Sequence, residues 1–143
     1  MGVRIMKLHA VFGIGLCLAS LAPLSVQAQD APAEIASFTQ EQVAAGEREY
    51  RRSCQDCHGA NLDDGEFGGP PLIGINFRDK WFDLNAAALH GFTSAAMPPD
   101  RPGRLSAETY TNLVAFILSE NGLEAGDTPL PSDMEALSQL SLR

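Results

Sequence analysis

Positive charge, cysteine and strand-like patterns are all scarce in this chain. Its 143 residues include ten lysines and arginines against eighteen aspartates and glutamates, for a net charge of −8. Such an acidic protein is a poor candidate for binding nucleic acid or an anionic membrane surface. No run of residues shows the alternation of a strand and no internal repeat is evident, so helices and loops remain as the expected structure.

The first 28 residues are typical of a secretory signal peptide. Arg4 and Lys7 precede the apolar run AVFGIGLCLASLAPLSV, whose last residue, Val26, begins the small-residue cleavage pattern VQA. Ser20 and Pro23 interrupt the apolar run, which makes an uncleaved N-terminal membrane anchor the less favoured alternative. Export would place the mature chain in the bacterial periplasm, where an idle cysteine pair would readily oxidise.

Three parts follow the predicted signal peptide. Residues 29–37 are predicted to be a flexible lead, residues 38–122 one domain, and residues 123–143 a C-terminal extension. The extension includes a short helix, for which Ser132 and Glu135 fit a capping box. The predicted fold class is all-α. Its long loops indicate that something other than protein fills part of the core.

Capping residues and helix-breaking residues predict the helix boundaries. Thr39 and Gln42 fit a capping box at the start of a helix that runs through the sequence CQDC. The next stretch, GANLDDGEFGGPPLIG, is too rich in glycine, aspartate and proline for a helix and is predicted to be a loop. A short helix through AAALH, capped by Asp83 or Asn85, is predicted to stop at Gly91.

The clearest helix begins after Ser106, which has the side chain of an N-cap residue. Its apolar side chains recur at spacings of three and four residues, which predicts one buried face. These residues are Tyr110, Leu113, Val114 and Ile117.

The stretch RSCQDCHG contains Cys54, Cys57 and His58, and a cysteine pair at this spacing has three common uses. A redox disulfide of the thioredoxin type follows a strand and begins a helix, whereas this pair lies at the end of a predicted helix. A structural zinc site needs four ligands, and His90 would be the fourth, although adjacent Cys57 and His58 fit one tetrahedron poorly. The third use is covalent haem attachment, for which Cys-x-x-Cys-His is the pattern.

Haem attachment requires an axial ligand besides His58. Met97 is the candidate because it lies in the polar loop AAMPPD, where two prolines would restrain the thioether. Methionine and histidine are a common ligand pair in cytochromes c. Met134 is the rival methionine, and His90 would instead give a bis-histidine haem.

Together these features resemble the class I cytochromes c, small all-α electron carriers whose N- and C-terminal helices cross and whose long loops wrap around one haem. In that family a glycine and an aromatic residue precede the first haem cysteine by eight and four positions, where Gly46 and Tyr50 stand. The family's GPxL motif appears at residues 69–72, and its LxxY/F helix surface at residues 113–116. The resemblance covers about residues 38–122.

The motif and the resemblance together imply one covalent haem c. The resemblance adds that the carbonyl of Pro70 accepts a hydrogen bond from Nδ1–H of His58, which would fix the imidazole tautomer. Trp81 and Arg78, with Lys80 nearby, are candidate partners of the haem propionates. The predicted attachment residues and axial iron ligands are Cys54, Cys57, His58 and Met97.

The predicted function is outer-sphere electron transfer by a periplasmic monohaem cytochrome c. Its expected partners are a periplasmic dehydrogenase, for example a quinoprotein, and a downstream oxidase or reductase. With both axial positions filled, the iron offers no site to a substrate, so we expect an electron carrier or the cytochrome subunit of a dehydrogenase rather than an enzyme by itself. We expect no nucleic-acid partner and no stable membrane insertion after cleavage. The alternative is a haem peroxidase or sensor, which would need Met97 to leave the sixth position open.

Overall fold

The computed structural model describes residues 1–2 and 33–143. The predicted signal peptide, apart from its first two residues, and the beginning of the predicted lead lie outside the described part of the chain. Helices dominate residues 33–143, which confirms the all-α fold class. In chain order the elements are β1 (Glu34–Ile35), α1 (Gln40–Ser53), α2 (Gln55–His58), α3 (Ile75–Trp81), α4 (Ala86–Ala96), α5 (Ala107–Glu120), α6 (Met134–Ser138) and β2 (Leu140–Ser141). Among the described residues, no helix is both long enough and apolar enough to cross a bilayer.

Helices α1 and α5 cross at very short range. The capping box predicted for α1 is present, since Thr39 accepts from the backbone of Gln42 and the Gln42 side chain accepts in return. A Cβ atom added to Gly46 would lie 1.9 Å from the carbonyl oxygen of Asn112 on α5. Glycine therefore allows a backbone approach that any side chain would prevent.

Helix α5 forms the centre of the core. Ser106 caps it by accepting from the backbone N–H of Thr109, as the sequence predicts. The four residues of the predicted apolar face are all buried. Gly122 follows the helix with a φ of +97°, a left-handed conformation that favours glycine after a helix end.

Helix α4 is longer than the sequence suggests. Asn85 caps it, but the predicted stop at Gly91 is wrong, because the helix continues to Ala96. One glycine inside a helix costs only about 1 kcal/mol relative to alanine, which tertiary packing can offset. Helix α6 lies beside α4 at this point, since a Cβ atom added to Gly91 would lie 3.5 Å from the terminal methyl of Met134.

Helix α3 has no counterpart among the predicted helices. It starts after Gly74 without a side-chain cap, so the usual start signal is missing. Its Phe77 and Trp81 are buried, and their rings lie 6.3 Å apart between centroids. Burial of these two aromatic side chains stabilises a helix that local sequence signals do not mark.

The last residues of the predicted lead, just before α1, include a short strand. Glu34–Ile35 pairs in parallel with Leu140–Ser141, and the N–H of Ala36 donates to the Ser141 carbonyl at 2.8 Å. The next apolar residue, Phe38, is fully buried. The pairing partner is about a hundred residues further along the chain, so local composition could not reveal it.

The C-terminal extension packs onto the rest of the domain. The N-cap of α6 is Asp133, whose carboxylate accepts from the N–H of Ala136, and not Ser132 as the capping-box pattern suggested. Leu130, Leu137 and Leu142 are buried in the same apolar cluster as α1 and α5. The extension therefore contributes to the core that surrounds the site.

Candidate functional site

A cavity of about 600 Å³ opens beside the cysteine pair. Its walls are mainly apolar and come from α3, α4, α5 and the loops that join them. Its size falls within the range of roughly 300–1,000 Å³ that is usual for small-molecule and cofactor sites. The apolar side chains that line the cavity and also belong to the hydrophobic core or pack against it are Leu72, Phe77, Trp81, Leu89, Leu113 and Ile117.

One helical turn presents the cysteine pair and the histidine to this cavity. Cys54 lies between the two helices: it is the C-cap of α1, where its N–H donates to the Tyr50 carbonyl, and it is also the N-cap of α2. The N–H groups of Cys57 and His58 both donate back to the Cys54 carbonyl, at 3.1 and 3.0 Å. All three side chains consequently line one wall of the cavity.

The thiol of Cys54 lacks the character of a redox nucleophile. Burial, with the Glu49 carboxylate as the second cause, raises its pKa to about 12. Catalytic cysteines of the thioredoxin type instead have a lowered pKa, because the thiolate is the reactive form. The structure thus disfavours the redox-disulfide hypothesis.

His58 is buried, and its ring orientation is fixed by the loop that follows. Nδ1 lies 2.7 Å from the carbonyl oxygen of Pro70. A carbonyl can only accept, so Nδ1 carries the hydrogen and Nε2 keeps the free lone pair that a metal needs. The loop lies close because Gly69 donates to the Cys57 carbonyl at 2.7 Å, and a Cβ at Gly69 would be 2.5 Å from that oxygen.

The loop that contains Pro70 is held from both sides. The N–H of Leu72 donates to the Leu62 carbonyl at 2.7 Å, and the Leu72 carbonyl accepts from the amide of Asn121 at 2.8 Å. Asn121 is the C-cap of α5 and is itself buried. Nothing in the sequence marks Asn121 for this role except its place before Gly122.

Met97 lines the same cavity as His58, although 39 residues separate them in the sequence. It is the C-cap of α4 and is followed by two prolines that also reach the cavity. The phenol of Tyr110 on α5 donates to the Met97 carbonyl oxygen at 2.8 Å. The Met97 backbone is therefore held by both α4 and α5.

The two rival axial ligands do not border the cavity. His90 is 4% exposed, and its Nε2 lies 3.3 Å from the Ala107 carbonyl at the start of α5. Met134 lies on α6 and is 46% exposed. Within residues 1–2 and 33–143, no three His, Cys, Asp or Glu side chains cluster in a way that could hold a metal ion, which disfavours the zinc hypothesis.

Of the predicted propionate partners, Trp81 lines the cavity and Arg78 does not. The cation at the wall is Lys80, whose Nζ lies 5.0 Å from the Trp81 ring centroid and 5.3 Å from that of Phe92. These distances are typical of cation–π contacts. Phe92 and Phe67 also line the cavity, and the sequence did not single them out because an isolated aromatic residue carries no signal of its own.

The donor set suits a haem c group. Two thiols and an imidazole with a free Nε2 lie on one turn, a thioether lines the same cavity, and most of the wall is apolar. Soft sulfur and imidazole are common haem-iron ligands, and an apolar surround is the usual environment.

This chain is similar to known proteins both in sequence and in fold. Residues 41–117, more than half of the chain, match the model of the family described as cytochrome c oxidase, cbb3-type, subunit III. Among solved structures, a chain in the crystal structure of the sulfane dehydrogenase SoxCD from Paracoccus pantotrophus matches with a TM-score of 0.51 at 20% identity. The match covers 83% of this chain and 68% of that chain, and at this identity it concerns the fold alone. A comparison with curated proteins finds no significant match.

Proposed function

This chain belongs to the family described as cytochrome c oxidase, cbb3-type, subunit III. We propose that it is a monohaem electron carrier whose haem iron is ligated by His58 and Met97. As a class I c-type cytochrome it carries covalently bound haem c, for which Cys54 and Cys57 have the required Cys-x-x-Cys-His spacing. The observation that supports the proposed ligands is their convergence: both side chains line one mainly apolar cavity together with the cysteine pair.

When bound, haem c supplies an iron ion that alternates between the ferric and ferrous states. The Pro70 carbonyl accepts from Nδ1–H of His58, which orients the imidazole and raises its basicity as a ligand. As an iron ligand, the soft thioether of Met97 would favour ferrous iron and raise the reduction potential relative to bis-histidine ligation. The mainly apolar wall would limit the access of water to the bound haem, and solvent access is one of the factors that tune the potential.

Two protein ligands would leave no iron position for a substrate, so the proposed reaction is outer-sphere electron transfer. The competing hypothesis, a haem peroxidase or sensor, needs an open sixth position. The placement of Met97 at the cavity wall and the ties on its backbone favour the closed arrangement.

The proposed location is the bacterial periplasm, supported by the signal-peptide pattern of residues 1–28 and by the covalent type of haem. The proposed electron donor is a periplasmic dehydrogenase, and the acceptor is a downstream oxidase or reductase. The fold likeness to a chain of SoxCD and the family's oxidase description support partners of these two classes.

Acid–acetone extraction tests the mode of cofactor attachment. Haem joined to Cys54 and Cys57 through thioethers should stay with the protein, and the intact mass should rise by one haem. Extraction of the haem into the organic phase would contradict covalent attachment.

Substitution of the methionine tests the proposed sixth ligand. Met97→Ala should keep the haem attached, lower the potential and allow the ferrous protein to bind carbon monoxide, because the iron position opens. Met134→Ala is the matched control and should leave the spectrum and the potential unchanged. Carbon monoxide binding by the unmodified ferrous protein would favour the peroxidase or sensor hypothesis instead.

A further inference from the structure

Residues 97–106 join α4 to α5 and begin with the proposed axial methionine. The phenol of Tyr110, 2% exposed, donates to the Met97 carbonyl oxygen at 2.8 Å. Tyr110 does not line the cavity, and its hydrogen bond to the methionine is made to the backbone carbonyl. This bond ties the first residue of the segment to α5.

A second buried side chain ties α4 to the residue that directly follows the segment. Nε2–H of His90 on α4 donates to the carbonyl of Ala107, the first residue of α5, at 3.3 Å. The His90 ring also meets the Tyr110 ring edge-on, with centroids 6.3 Å apart and an interplanar angle of 78°. The two side chains therefore form one contact between α4 and α5 beneath the segment.

A histidine at position 90 would be energetically unfavourable if its ring served only to fill space. Its Nδ1 is buried and has no hydrogen-bond partner among the described residues. A buried polar atom without a partner is unfavourable, and an apolar ring of similar size would avoid that cost. What the histidine adds is the donor to Ala107 and the edge contact that orients Tyr110.

We propose that Tyr110 and His90 are positioning residues that keep Met97 at the sixth iron position and so keep the site closed to outside ligands. The inference rests on the Met97 ligation of the proposed function. For the thioether to leave the iron by a movement of its segment, the Met97 carbonyl must move away from a phenol that has no other acceptor in the described contacts. The hydrogen bond therefore stabilises the closed state and not the open one.

The test is the opening rate of the ferric holoprotein, measured by stopped flow with imidazole. At saturating imidazole the observed rate is limited by release of the methionine. Tyr110→Phe removes one buried hydrogen bond and should raise this rate roughly three- to tenfold, since the net contribution of such a bond is of that size. The far-red charge-transfer band of the methionine–iron bond gives a second readout and should weaken.

Tyr50→Phe is the matched control. Tyr50 is 1% exposed, and its phenol donates to the Gly59 carbonyl at 2.6 Å on the side of the cysteine motif. The Tyr50→Phe variant should be less stable against urea by an amount similar to that for Tyr110→Phe. The rate at which its site opens, measured with imidazole, should not change. A merely structural role for Tyr110 predicts that the two variants behave alike, and that result would overturn the proposal.

Two variants of His90 separate the hydrogen bond from the packing. His90→Phe keeps a ring against Tyr110 but loses the donor to Ala107, so the opening rate should rise. His90→Gln retains an amide donor near the position of Nε2 and should return the rate towards that of the unmodified protein. Equal rates in His90→Phe and the unmodified protein would remove His90 from the proposal.

The spectrum of the unmodified holoprotein shows whether a negative result contradicts the Met97 ligation or only the positioning role. If it shows no far-red methionine band, the ligation by Met97 is wrong and the positioning role falls with it. If the band is present and Tyr110→Phe opens no faster than Tyr50→Phe, only the positioning role is wrong.

Discussion

Replacing Gly46 with alanine should test how closely α1 and α5 are required to pack. The new methyl group would lie 1.9 Å from the Asn112 carbonyl oxygen, 2.6 Å from its carbonyl carbon and 2.8 Å from Cβ of Phe116. None of these atoms can move away by a simple rotamer change. Because favourable carbon contacts lie near 3.5–4.0 Å, the two helices would have to separate by about 1 Å or more.

The size of the effect follows from the contacts that this separation weakens. A gap of about 0.5–1 Å forfeits roughly a quarter to a half of the dispersion energy across an interface. The rings of Tyr50 and Phe116, whose centroids lie 5.3 Å apart, would lose part of their contact. Overpacking typically costs about 1–3 kcal/mol, and the three short contacts to atoms that cannot rotate away place this substitution near the upper end of that range. Alanine returns roughly 1 kcal/mol of helix propensity. We therefore expect a net loss of about 2 kcal/mol.

Urea unfolding of the holoprotein, followed by far-UV circular dichroism, measures this loss as a lower midpoint at unchanged m-value. Gly91→Ala is the matched control, because Gly91 also lies inside a helix but its added Cβ would meet only the Met134 methyl, at 3.5 Å. That variant should be neutral or up to about 1 kcal/mol more stable. If Gly46→Ala is as stable as the unmodified protein, or if both variants lose equal stability, the close crossing is not what requires glycine.

Three further predictions use the same protein. Leu137→Ala should cost about 2–5 kcal/mol in the urea assay, because this side chain of the C-terminal extension is fully buried; a loss below about 0.5 kcal/mol would show that the extension is dispensable. Thr39→Ala should cost about 1 kcal/mol by removing the capping box, and no change would contradict that role. With a redox partner, Arg101→Glu should change the electron-transfer rate and its ionic-strength dependence more than Asp127→Lys, since Arg101 adjoins the cavity-lining Asp100. Equal effects would mean that the charge near the cavity does not orient docking.

Local signals in the sequence were reliable where the structure depends on neighbouring residues. The capping box at Thr39 and the N-cap at Ser106 are present, because each hydrogen bond joins residues only three positions apart. The buried face of α5 follows from its period of three and four residues. The cysteine motif is equally local, since two cysteines and a histidine on one turn must point towards a common neighbour.

Signals of this kind failed where distant segments decide the structure. Gly91 does not end α4, because α6 packs against the helix there. The strand Glu34–Ile35 was not foreseen, since its pairing partner lies about a hundred residues further along the chain. The choice of Lys80 rather than Arg78 at the cavity wall depends on how α3 is rotated, and no cap or period in the sequence fixes that rotation.

By itself the sequence determined the class of the protein: an all-α chain with a Cys-x-x-Cys-His haem motif and a methionine candidate for the sixth ligand. Only the tertiary structure showed that Met97 lines the same cavity as His58 and that His90 does not. It alone also showed the hydrogen bonds by which Tyr110 and Asn121 hold the two loops that border this cavity. The physical reason is the range of the interactions. Motifs, caps and periods report bonds within a few residues, whereas the shape of the cavity depends on helices that meet only after the chain has reversed direction several times.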